Sequence, residues 1–152
     1  MLRALPQNAL ILAPMVALSH RALRELVLEF GGLDLAYTEM ASAGAAVSGA
    51  PYEDCYFDSG PAPGKVVYQL YTTKSERLIE ALTMLKDRPV YGADINFGCA
   101  APQITRAGGG AAWMRCWTPW RIFRARRCLP PKWSARFFPR ALPTTALAIS
   151  ML

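Results

Sequence analysis

The sequence predicts an α/β protein, the first four strands of a parallel (β/α)8 barrel, and two observations carry that prediction. Short runs that are apolar throughout alternate with helix-like stretches in the order strand, helix, strand, strand, helix, strand. Strands of that kind are buried on both faces, as in parallel sheets covered by helices. The strand ends also collect the unusual residues: Pro14-Met15 after the first, Glu39-Met40 at the second, Gln69 in the third, and Asn96 with Cys99 at the fourth. In a barrel, all these ends open onto one mouth. A doubly wound sheet would instead need a phosphate-binding glycine fingerprint after the first strand, where the chain reads Ala13-Pro14-Met15-Val16.

The elements follow in order. NALILAP (8–14) is a continuous apolar run, read as a buried strand. Ser19 is the expected N-cap of the helix in HRALRELVLEFGG, with Leu23, Leu26, Val27 and Phe30 on its apolar face and Gly31-Gly32 as its stop. LDLAYTEM (33–40) and KVVYQLY (65–71) are the next strands. The stretch between them is rich in Gly, Pro and Ser, which predicts a long loop with a short helical piece at one end. SERLIEALTMLKD (75–87) is a helix with Ser75 as cap and Leu78, Ile79, Leu82 and Leu85 inward, and YGADINFG (91–98) is the fourth strand.

Composition bounds the function. With 152 residues, 53% of them hydrophobic and 18% charged, the chain has material for a core. No apolar run approaches the roughly 20 residues that span a bilayer, so a soluble cytoplasmic protein is expected. Cys55, Cys99, Cys116 and Cys128 form no CxxC pair and His20 is the single histidine, which indicates neither a metal site nor a disulfide framework. The net charge of +6 belongs to the end of the chain: residues 115–152 hold eight Arg or Lys and no acid. That stretch also holds three of the four tryptophans and five of the twelve prolines, with no sustained periodicity. Two segments are therefore expected: 1–114, the barrel half, and 115–152, an irregular basic tail whose composition suggests a changed reading frame or disorder.

LAPM, RALRELVLEFGG, YTEM, VVYQL, DINFGCAAPQ and RAGGGAAWM, in that order and spacing over residues 10–114, resemble the N-terminal half of the tRNA-dihydrouridine synthases. Ala100 replaces the proline that follows the family's cysteine, Gln103 replaces a basic residue, and Val16-Ala17-Leu18-Ser19-His20 replaces the family's AGxTD, which reads as a divergent subgroup. A whole barrel takes roughly 250 residues. The family's second half, with its lysine, histidine, phosphate loops and helical tRNA-binding domain, has no counterpart in this sequence.

The resemblance implies FMN-dependent reduction of the C5=C6 bond of a uridine in tRNA, with NADPH as the reductant. Cys99 would then give the proton to C5. An ordinary thiol has a pKa of about 8.5 and is mostly protonated at pH 7, which suits an acid better than a nucleophile. The plainer alternative is a small buried hydrophobe. Pro14, Met15, Val16 and Gln69 would meet the flavin, and Asn96 and Glu39 the substrate. Each also has a structural reading: Met15 as core, Gln69 satisfying backbone, Asn96 capping its strand, Glu39 in a salt bridge. His20 reads as a surface residue, and Cys55, Cys116 and Cys128 have no assigned role. Gly108-Gly109-Gly110 either cradles phosphate or allows close packing. With half the strands of a barrel, exposed inner side chains and weak or absent FMN binding are expected, so the fragment would be inactive. Another FMN barrel acting on a free pyrimidine, and a small basic RNA-binding module without catalysis, are the competing functions.

Overall fold

The computed structural model describes residues 6–115 and 148–151. Along the chain lie β1 (Ile11–Leu12), α1 (Arg21–Phe30), β2 (Leu35–Ser42), α2 (Ala43–Val47), β3 (Val66–Tyr71), α3 (Ser75–Leu85), β4 (Gly92–Asn96), α4 (Pro102–Arg106) and β5 (Ala148–Met151). Three 3₁₀ turns, Pro51–Phe57, Pro63–Lys65 and Gly110–Arg115, fill the connections. The expected long loop between β2 and β3 is thus short helix α2 followed by two such turns, with Pro opening each.

Strands β1 to β4 are parallel and adjacent in chain order. Parallel crossovers are right-handed, so stepping always to the next strand carries every connection to the same side of the sheet. That is the arc of a β/α barrel, and it lacks the reversal of strand order that defines a doubly wound sheet. The predicted first strand pairs over two residues only. Before it, Leu10 departs from the ladder: its N–H goes to the Asp34 carboxylate and its carbonyl accepts from the Asp34 and Leu35 amides. Beyond it, Pro14 has no N–H to give.

Both faces of the sheet are buried. On one, Val66, Tyr68 and Leu70 of β3 and Ala93 and Ile95 of β4 pack with Leu78, Ala81, Leu82 and Leu85 of α3. Each buried leucine contributes about 2 kcal/mol through the water it leaves. Ile79 is only half-buried, so Ala81 takes the inward place expected of it. The Tyr68 hydroxyl donates to the Phe57 carbonyl (2.7 Å) and its ring meets Phe57 edge-on, which seats the 3₁₀ turn on this face. On the other face Leu35, Tyr37, Val67 and Tyr91 pack together, followed toward the strand ends by buried Gln69 and Asp94. The inner side chains are therefore covered, contrary to expectation for half the strands. Large apolar side chains are exposed mainly around β1 and α1: Leu10, Ile11, Val16, Leu18, Leu26 and Phe30.

Helix α1 also departs from its expected pattern. Leu26 is half exposed and Phe30 is 83% exposed, whereas Arg24 is fully buried. Its cap is His20, whose Nδ1 accepts from the Leu23 amide, because the Ser19 hydroxyl is already engaged with Met15. At α3 the cap is Lys74 and Ser75 is the first helical residue; Thr72 Oγ1 accepts the Lys74 amide. Of the basic tail, residues 116–147 lie outside the described residues, and so do its expected disorder or changed frame. The last described residues, β5, pair antiparallel with β4, with Ser150 opposite Asp94.

Candidate active site

The site is built at the C-terminal ends of the parallel strands. From β1 the chain enters a tight loop in which Ser19 closes on Met15: the hydroxyl accepts the Met15 amide (2.8 Å) and donates to the Met15 carbonyl (3.0 Å). Glu39, at an irregularity in the β2–β3 pairing between Tyr37 and Met40, accepts the Ala17 amide at 2.7 Å. Ala17 has φ 61°, in the left-handed region that disfavours a side chain. Arg24 reaches up from α1 and donates to the carbonyls of Ser19 and Asp58. Burial lowers its pKa, a tendency that Asp58 and other acids oppose. A cavity of about 210 Å³ beside this loop is lined by His20, Arg24, Glu39, Tyr56 and Asp58, among others.

From β3 and β4 comes a continuous run of side-chain hydrogen bonds. Gln69 Nε2 donates to Asp94 Oδ2 (2.7 Å), and Asn96 Nδ2 donates to Gln69 Oε1 (3.1 Å). Asn96 Oδ1 then accepts the amides of Gly98 (3.0 Å) and Cys99 (2.8 Å), folding the strand end into the turn that carries the thiol. The other side of Cys99 is held by the glycine run: its carbonyl accepts the Ala111 amide at 2.9 Å, and a Cβ on Gly110 would strike that carbonyl oxygen. Gly110 has φ 54°, so both its conformation and its contacts exclude a side chain. Trp113, stacked on Phe97 with centroids 5.3 Å apart, secures the turn against the core.

This arrangement decides between the two readings of the glycines. The amides of Gly108, Gly109, Ala111 and Ala112 donate to Thr105, Ile104, Cys99 and Gly109 carbonyls. Amides spent in this way cannot cradle a phosphate, so the run serves close packing behind Cys99. Burial pushes the Asp94 carboxyl up to about 6, against the hydrogen bond from Gln69 that favours its ionised form.

Of the predicted residues, the structure brings Gln69, Asn96 and Cys99 into one bonded unit, with Cys99 itself half-buried. Glu39 is tied instead to the loop holding Pro14, Met15 and Val16. Counting lone pairs and protons sharpens what remains available. Asn96 Oδ1 has both lone pairs occupied, leaving one N–H. Gln69 keeps one N–H and one lone pair. The Met15 amide is spent on Ser19, so the loop does not offer that donor. Sequence reasoning missed Asp94 and gave Ser19 only a capping role. A sequence signal existed for the first: Asp94 and Asn96 alternate within an otherwise apolar strand and so share its inner face with Gln69.

Among the described residues no helix is long and apolar enough to cross a membrane, and no three His, Cys, Asp or Glu side chains gather as a metal set. The sequence profile of the dihydrouridine synthases (Dus) matches residues 11–119, ending within a few residues of the change in composition. A protein of Aquifex aeolicus (strain VF5) described as a probable tRNA-dihydrouridine synthase is 32% identical over 112 residues, covering 72% of this chain. The matched part spans about a third of that relative (34%). With this profile laid over the parallel strands and over the turn that holds Cys99, the chain belongs to the dihydrouridine synthase family.

Proposed function

We propose that this chain carries the proton-donating part of an enzyme that reduces the C5=C6 bond of a uridine in tRNA, working with FMN and with NADPH as reductant in the cytoplasm. The observation that carries the reading is the double anchoring of Cys99. Its amide is held by Asn96 and its carbonyl by Ala111, so the thiol is presented from a fixed turn at the strand-end mouth. Reduced flavin, when bound, would supply the hydride to C6. The Cys99 S–H would then give its proton to C5 and recover it from solvent. Asn96, with one N–H to spare, suits a uracil carbonyl oxygen as a donor. Gln69 would present its remaining donor and acceptor to the flavin. Pro14, Met15 and Val16 would pack against the ring, and Glu39 would set that loop's shape and face the substrate beside it. Spanning a third of its relative, the chain alone is not expected to turn over.

The test uses a form extended to the relatives' full length. Cys99→Ala should bind FMN and accept reducing equivalents from NADPH as before, since neither step needs an acid on the substrate side. Reoxidation by tRNA should slow by about 10²–10⁴-fold, the usual cost of losing a general acid. Stopped-flow reoxidation by tRNA at the unaltered rate would remove Cys99 from the role.

A further inference from the structure

We infer that Asp94 is a positioning residue that fixes the direction of the hydrogen-bond chain beneath Cys99, so that the thiol's turn is held by an acceptor and never faced by a donor. The argument rests on what each group can do. An ionised carboxylate only accepts, whereas a primary amide has a donating end and an accepting end that can exchange by a flip. Because Asp94 Oδ2 accepts, Gln69 must turn its NH2 toward it and its oxygen toward Asn96. Asn96 must then turn its own NH2 toward Gln69, which leaves Oδ1 facing the amides of Gly98 and Cys99. Either amide flipped alone sets oxygen against oxygen or N–H against N–H. Both flipped together would aim the Asn96 NH2 at two backbone donors.

Among the described residues, the Gln69 amide and the Ile95 backbone N–H are the groups that favour its charged form. Asp94 is fully buried and its Oδ1 has no hydrogen-bond partner among the described residues. In register beside it on the β3 side stand Gln69 and then Met40, both uncharged. The titratable groups of β2 are Tyr37, packed on Val67, and Glu39, engaged with the Ala17 amide. The loop after β4 adds Cys99. Among the described residues no cation is paired with Asp94, and burial raises its pKa to about 6, so the group is ionised at pH 7.5 and takes up a proton near pH 6. Once neutral, it holds Gln69 by an uncharged and weaker hydrogen bond, and the chain that leads to the Gly98 and Cys99 amides loosens from that end.

As an account of how the thiol is aimed, the inference rests on the proposed role of Cys99. The hydrogen-bond chain itself can be measured without that role. Amide hydrogen exchange of the 152-residue chain, read by NMR at Gly98 and Cys99 and corrected for intrinsic rates, should show protection falling about tenfold from pH 7.5 to pH 5. The change starts at the bond from Gln69 to Asp94, charge-assisted when the carboxyl is ionised and neutral when it is protonated, and reaches the two amides through Asn96. Amides inside α3 should not follow. Asp94→Asn should show the lower protection at both pH values, and Gln69→Met should lose it at both. Cys99→Ala should keep the wild-type pattern, since the bond is made by the backbone; this separates the chain's failure from failure of the acid role. Wild-type protection that is flat between pH 5 and 7.5, which needs no variant to observe, would overturn the inference. So would an Asp94→Asn variant that keeps the wild-type pH dependence.

Discussion

Asp94→Asn should stabilise the protein, and by an amount that depends on pH. The carboxyl titrates near 3.8 when unperturbed and about 6 in the fold, a difference of about two units. At about 1.36 kcal/mol per unit, the folded state holds this proton more tightly than the unfolded chain by about 3 kcal/mol. A raised carboxyl pKa gives stability that is present in full below the unfolded value and is lost as pH rises through the folded one. The wild type should therefore lose about 3 kcal/mol through this residue between pH 4 and pH 7.5. Asn at position 94 has no proton to lose. The stability difference, variant minus wild type, should climb from near zero at pH 4 to about 3 kcal/mol at pH 7.5. Equilibrium urea unfolding of both proteins across that range reads it directly, and the subtraction removes groups that titrate alike in both. One of these is Asp58, whose pKa its hydrogen bond with Arg21 lowers. A difference that is constant with pH, or that falls as pH rises, would refute the reasoning. It would mean that the buried carboxylate has a compensating partner.

Three further outcomes follow from the same geometry. Gly110→Ala should cost about 2–4 kcal/mol, combining a left-handed φ with a backbone collision at Cys99, and unfolding titrations would show it. Glu39→Ala should cost about 1.5–3 kcal/mol by removing a charge-assisted bond to Ala17, while Glu39→Gln, which keeps an acceptor oxygen, should recover most of that. Translating the gene's other two frames beyond residue 115 should restore a segment with mixed acidic and basic residues; failure of both frames before a stop codon would refute the changed-frame reading of the basic tail.

How legible the molecule was in its sequence depends on which physical signal each part uses. Strands β2, β3 and β4 could be read because burial on both faces demands continuous apolar runs, and α3 because its leucines recur at helical spacing. Helix α1 misled for the opposite reason. Its leucines and Phe30 keep the same spacing, yet Arg24 is the residue buried, since the carbonyls of Ser19 and Asp58 receive it. A charged side chain satisfied by distant backbone leaves no periodic trace. Ser19 deceived in a similar way: a hydroxyl before a helix is a good cap until a nearer backbone pair claims it. Of the site, Cys99, Asn96 and Gln69 stood out as polar or reactive residues at strand ends. Their connection through Asp94 depends on the pairing register between β3 and β4, which no single strand encodes.

That register changes what the amides can do. Read alone, Asn96 offers a donor and an acceptor and would match an edge of uracil that presents both. With its oxygen saturated by Gly98 and Cys99, it can contribute only an N–H, so any pairing it makes to a pyrimidine is to a carbonyl oxygen. Gln69, by contrast, keeps one of each. The two amides of the site thus differ in what they can offer although they are the same chemical group. The difference follows from their order along one hydrogen-bond chain that begins at a buried carboxylate and ends at the backbone of the cysteine.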